Sequence, residues 1–122
     1  MLLDMSEQEL SYGQGALLGI TTDSQRYKQG EPVSIRAINT GTVPLGDGRS
    51  WEFRVAGLSG VLMYNTSWVH VPLEPGEDHT MVWNQTKNDQ SQALEGLYRI
   101  SVRGWGPAGE EATDTIVITI QK

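Results

Sequence analysis

The sequence predicts an all-β domain, an antiparallel β-sandwich of about seven to eight strands. Three observations predict it. Apolar residues recur with a period of two along most of the chain, turn-forming clusters separate these stretches, and nothing after Gly15 shows a helical stripe. A period of two places one face of each strand on a core and the other in water.

The alternation can be followed strand by strand. Leu18 and Ile20 alternate with Gly19 and Thr21, and Val33, Ile35 and Ala37 with Ser34 and Arg36. Trp51, Phe53 and Val55 alternate with Glu52 and Arg54, and residues 61–64 form a short apolar run. Met81 pairs with Trp83, Tyr98, Ile100 and Val102 alternate with Arg99, Ser101 and Arg103, and Ile116, Ile118 and Ile120 alternate with Val117 and Thr119. Between them stand Gly30-Glu31-Pro32, Gly46-Asp47-Gly48, Pro75-Gly76, Asn88-Asp89 and the stretch 104–109, all turn chemistry. Short strands at this spacing read as an immunoglobulin-like sandwich. Its expected core holds Ile35, Phe53, Trp83, Tyr98, Ile100 and Ile118.

The 122 residues suit one domain, long enough to bury an independent core. Residues 1–14 are polar and acidic and are expected to form a flexible N-terminal arm, with a short helix from Ser6 to Leu10 as one option because Glu9 follows Ser6 by three. Residues 15–122 form the sandwich. With no cysteine there is no disulfide, no thiolate nucleophile and no cysteine metal site. The net charge of −6 and the scatter of the nine basic residues argue against nucleic acid and against anionic membranes. No apolar stretch approaches the ~20 residues of a membrane span, so no membrane insertion by this segment is expected. A native start at Met1 implies a cytoplasmic protein. Removal of an upstream signal or anchor implies an extracellular or cell-surface one.

No catalytic residues and no cofactor are expected. Ser59 lacks the spacing of a nucleophile elbow, and Gly13-Gln14-Gly15 and Gly104-Trp105-Gly106 are not phosphate loops. His70 and His79 would lie on neighbouring strands if Glu74-Pro75-Gly76 turned a hairpin, within reach of Glu77 or Asp78 for a transition metal. The plainer reading, two edge histidines in water, is preferred, because metal sites converge three or four ligands. Asn65-Thr66-Ser67 and Asn84-Gln85-Thr86 match the N-glycosylation acceptor pattern.

What remains is binding. Trp51 and Trp83 fit the inward phase of their strands, whereas Trp68 and Trp105 fall at loop or strand-end positions, as binding anchors or as caps on the sandwich. Residues 41–50 and 86–94 are polar connections long enough to reach a partner. The second joins the Trp83 and Tyr98 strands, and Lys87, Asn88, Asp89 and Gln90 are its candidate contacts. Trp105 would add an apolar anchor only if both connections open at the same end of the sandwich. The rival reading is a soluble connector.

Two segments resemble known patterns. The stretch Thr22-Asp23 through Tyr27, Gly30-Glu31-Pro32-Val33 and Ile35 looks like the opening of bacterial and archaeal immunoglobulin-like modules. Asn39-Thr40-Gly41, then Gly60-Val61-Leu62, Leu73-Glu74-Pro75-Gly76-Glu77, Trp83-Asn84-Gln85 and Gly96-Leu97-Tyr98-Arg99-Ile100 resemble the intracellular proteinase inhibitor (BsuPI-like) family over a little more than half the chain. That resemblance implies an immunoglobulin-like sandwich and a non-enzymatic module binding a protein partner, with a serine protease as the candidate. The stretch from Lys87 to Leu94 departs from the glycine-bearing turn of that family. The alternative is a structural or adhesive domain of a prokaryotic cell surface or filament.

Overall fold

A computed structural model describes residues 10–46, 50–69 and 72–122. His70 and the side chain of Trp68 fall outside this description, as do Ser6 to Glu9 of the expected short helix. Eight strands form two facing sheets: β1 (Leu18–Thr22), β2 (Arg26–Lys28), β3 (Val33–Asn39), β4 (Ser50–Gly57), β5 (Leu62–Val69), β6 (Asp78–Trp83), β7 (Gly96–Trp105) and β8 (Glu111–Gln121). One sheet has the order β1-β3-β6 and the other β2-β8-β7-β4-β5. The fold is the all-β sandwich that the alternation predicts.

The six expected core residues are all buried, Ile35 and Ile100 completely. Trp51 joins them. Trp83 sits at the centre, its ring 6.0 Å from Tyr98 and 6.3 Å from Tyr64, with Phe53 edge-on to Tyr64. Offset and tilted aromatic pairs of this kind add to the area they bury. Trp51 lies between two glycines: a Cβ at Gly46 would stand 2.5 Å from its Nε1, and one at Gly104 2.5 Å from its Cζ3.

Three features differ from the sequence reading. First, Arg26–Lys28 is a strand, and it pairs with β8 in parallel while every other pairing is antiparallel. It has one inward residue, buried Tyr27, which leaves no alternation to detect. Second, β5 runs eight residues, well beyond the apolar stretch at its start, because it is an edge strand and its Asn65, Thr66 and Ser67 are exposed. Third, Glu74-Pro75-Gly76 is not a hairpin between paired strands. β5 and β6 belong to different sheets, and the chain crosses between them. Leu73, just before the turn, exchanges backbone hydrogen bonds with Leu45 at 2.7 and 3.0 Å, and both side chains are buried. That pin draws the chain across the end of the sandwich.

The residues that carry the family resemblance hold the fold together. Asn39 donates from Nδ2 to the carbonyls of Val43 (2.8 Å) and Leu73 (2.7 Å) and accepts from Gly41 N at 2.9 Å. Gln85, fully buried, clamps the turn between β2 and β3 through its side-chain amide. The Tyr98 hydroxyl donates to the Leu94 carbonyl. The end of the expected arm also touches the sandwich, since Gly13 N donates to the Thr40 carbonyl at 3.1 Å.

Candidate binding face

The outward phase of the five-stranded sheet gathers charge. Along β7, Arg99, Ser101, Arg103 and Trp105 alternate with the buried Tyr98, Ile100, Val102 and Gly104. The β4–β7 register puts Ala56 opposite Arg99, Arg54 opposite Ser101 and Glu52 opposite Arg103. On β8, Val117, Thr115, Thr113 and Glu111 face the same way. At the far edge β2 adds Arg26 and Lys28 on either side of buried Tyr27. These outward positions hold five cations and two carboxylates, a surplus of +3 in a chain of net charge −6, so the remainder carries −9.

Between the arginines lies a shallow depression of about 170 Å³, lined by Glu52, Arg54, Ala56, Arg99, Ser101, Arg103 and Thr113. Ser101, which lines it, shares a hydroxyl hydrogen bond of 3.0 Å with Thr115 on β8. Arg103 is held by Glu52 at 3.5 Å and Glu111 at 3.2 Å, and its guanidinium lies 5.8 Å from the Trp105 ring centroid, within cation–π range. Arg54 and Arg99 are exposed and form no salt bridge among the described residues.

The connection chosen from the sequence is a small hairpin in its own right. Thr86 pairs with Gln92, Lys87 N donates to Ser91 O at 2.8 Å, and Gln90 N donates to Lys87 O at 2.9 Å. Gln90 adopts φ 72° to close the turn. Asp89 accepts from both the hydroxyl and the backbone N–H of Ser91, which holds its carboxyl below the ordinary value, with Lys87 adding a smaller effect. Asn88 docks on the free edge of β5: its N donates to Met63 O at 2.9 Å, its Nδ2 to Asn65 Oδ1 at 2.8 Å, and its Oδ1 accepts from Asn65 N at 3.1 Å.

The structure does not bring Trp105 to this hairpin. Asn65 is level with Arg54 and Ser101, and Trp105 lies four residues further along and two strands away, about 16 Å by strand geometry. Sequence reasoning missed the arginines. Their outward phase is readable, but their convergence depends on pairing strands 45 residues apart.

His79 faces the gap between the two sheets, where Phe53, Tyr64, Thr66, Met81 and Val82 line a second hollow. Among the described residues no three His, Asp or Glu side chains gather as a metal site. Nor is any helix there long and apolar enough to cross a membrane.

No family model matches the chain, and no curated protein matches it in sequence. Solved structures do match its shape. A cycloisomaltooligosaccharide glucanotransferase from Paenibacillus sp., complexed with cycloisomaltoheptaose, superposes with a TM-score of 0.62 at 23% identity over 89% of this chain. Dimeric latent PorU from Porphyromonas gingivalis gives 0.61 at 13% over 88%, and superoxide reductase (neelaredoxin) from Ignicoccus hospitalis 0.54 at 12% over 86%. The chain spans 14% of the glucanotransferase, 10% of PorU and 80% of the reductase. At these identities the likeness is one of fold, and the class it defines is the immunoglobulin-like β-sandwich domain.

Proposed function

We propose that this domain is a non-enzymatic binding module that holds a protein partner against the outer face of its five-stranded sheet. One observation carries the reading: an acidic chain collects Arg54, Arg99 and Arg103 around one depression, with Trp105 at its end. Arginine and tryptophan are the residues that most often anchor protein interfaces. Inhibition of a serine protease, the finer reading, rests on the family resemblance. The hairpin around Lys87, Asn88, Asp89 and Gln90 supports it, because a tip already held by hydrogen bonds loses little entropy on contact.

A second reading, a structural or adhesive domain of a prokaryotic surface or filament, draws support from the comparisons. Similar sandwiches occupy a small part of two much longer chains, as accessory domains do.

The test is affinity capture from lysate and envelope fractions with the wild type and an Arg54→Glu/Arg99→Glu double variant. A captured protein that the double variant releases supports the proposal, and equal capture by both rejects this face. Titration against a panel of serine proteases is run in parallel, with residues 87–92 replaced by a Gly/Ser linker as control. Inhibition lost in that variant supports the inhibitor reading. No inhibition by the wild type rejects it and leaves binding to be judged by the capture.

A further inference from the structure

We infer that the arginine face takes an acidic, extended segment of a partner polypeptide, laid along β7. This rests on the docking role just proposed and names the chemistry of the partner.

The spacing points to an extended chain. Arg99, Ser101 and Arg103 are alternate residues of β7, so their side chains recur about every 6.8 Å, the interval at which an extended peptide repeats the side chains of one face. Arg54, level with Ser101 on the adjoining strand, stands beside the midpoint of that row. Carboxylates at alternate positions of a bound segment therefore meet Arg99 and Arg54 in turn. The floor between the arginines is small, Ala56 and Ser101 with Thr113 beside them, which lets a backbone approach closely.

The charges point to an acid. Arg54 and Arg99 have no carboxylate partner among the described residues, and both are exposed. Planar guanidinium groups in this state are suited to bidentate contact with carboxylates. Arg103 already shares Glu52 and Glu111, so the acidic contacts belong at the Arg99 end of the row. Next to that end lie exposed Leu97 and Val117, 47% and 43% accessible, which suit an apolar side chain following the carboxylates.

The same charges disfavour a nucleic acid. A long polyanion would run beyond this face onto a remainder of −9, within a Debye length of about 8–10 Å. A short acidic segment stays on the face.

The test uses the full chain and a fluorescent synthetic peptide with Glu at alternate positions and a Leu at one end. The controls are its Gln counterpart and a single-stranded oligonucleotide. Anisotropy should show the Glu peptide binding, the Gln peptide not, and binding weakening at high salt. Arg99→Gln should weaken binding about tenfold, the scale of one charge-assisted contact. Arg36→Gln, on the opposite sheet and paired with Asp78, should leave it unchanged. Should Arg99→Gln fail to fold, Arg54→Gln serves in its place. The inference is overturned if the Glu peptide binds no better than the Gln peptide, if Arg99→Gln binds as tightly as Arg36→Gln, or if the oligonucleotide binds as tightly as the Glu peptide. Self-association of the chain that Arg99→Gln abolishes would also overturn it, by assigning the face to a second copy. Charge-sensitive capture of a partner without preference for the Glu peptide would overturn this inference alone and leave the docking role standing.

Discussion

The side chain of Gln85 closes on the turn that carries Gly30. Its Oε1 accepts from Gly30 N at 3.0 Å, while its Nε2 donates to the carbonyls of Lys28 and Glu31, each at 2.8 Å. Three backbone groups of one turn are thus satisfied by one buried amide from 54 or more residues away.

Removing that amide leaves the turn groups unpaired. Gln85→Ala is expected to destabilise the domain by about 1–3 kcal/mol, the cost of orphaning partly buried polar groups. Gln85 also sits at φ 60°, where a Cβ is unfavourable. Gln85→Gly should therefore be the milder change, by about 1 kcal/mol. Urea unfolding of both variants checks the order, and an alanine variant as stable as the wild type would refute the clamp.

Gly104→Ala tests the seat of Trp51. The new methyl would overlap the six-membered ring of the indole, 2.5–2.8 Å from its Cζ3, Cε3 and Cη2, while Gly46 already crowds its Nε1 end. A cost of about 1–3 kcal/mol is expected for overpacking of this kind. Thermal unfolding and the Trp fluorescence maximum should both shift. An unchanged melting temperature would mean that the ring has room to move.

Asn88→Ala should act locally. The hairpin it belongs to keeps its own backbone hydrogen bonds, so global stability is expected to change by about 1 kcal/mol or less. The Asn65 amide, which donates to Asn88 Oδ1, should lose hydrogen-exchange protection. Exchange at Asn65 equal to that of the wild type would show that the dock is not populated in solution.

Alkaline pH should weaken the fold through two phenols. Burial, and then the hydrogen bond to Asp23, hold Tyr27 above its ordinary pKa of 10.0, and burial raises Tyr98 as well. A group raised in the folded state contributes stability that is complete below its unfolded pKa and is lost as pH climbs toward the folded one. Stability owed to these tyrosines should thus be flat from neutral pH to about 9 and fall above about 10. Tyr27→Phe should flatten that fall. Denaturant midpoints across the alkaline range provide the check, and identical slopes for wild type and variant would remove Tyr27 from the account.

The strands were legible where burial alternates over many residues. Trp51, Phe53 and Val55 fell inward as their phase requires, and so did Tyr98, Ile100 and Val102. β2 escaped detection because a three-residue strand with one buried side chain has no period. The path through Glu74-Pro75-Gly76, a turn as its residues indicate, stayed open for a different reason. Turn residues announce a reversal but not which sheet receives each flank, and here distant Asn39 and Leu45 decide it. The candidate face lay in plain view as the polar half of each strand, yet nothing local links Arg54 to Arg99. The docking of Asn88 was not legible, because hydrogen bonds to Met63 and Asn65 leave no mark on composition.

The β4–β7 pairing has a kinetic consequence. It joins Val55 to Ile100 across a loop of about 45 residues, and β7 then carries β8 on its other side. Closing such a loop sacrifices chain entropy before any contact repays it. A topology dominated by non-local pairing folds in milliseconds to seconds, not microseconds. The rate-limiting event should be the meeting of β4 and β7, after which β8 adds through a short hairpin. Substitutions at Val55 or Ile100 would then slow refolding, whereas substitutions in β1 would mainly hasten unfolding.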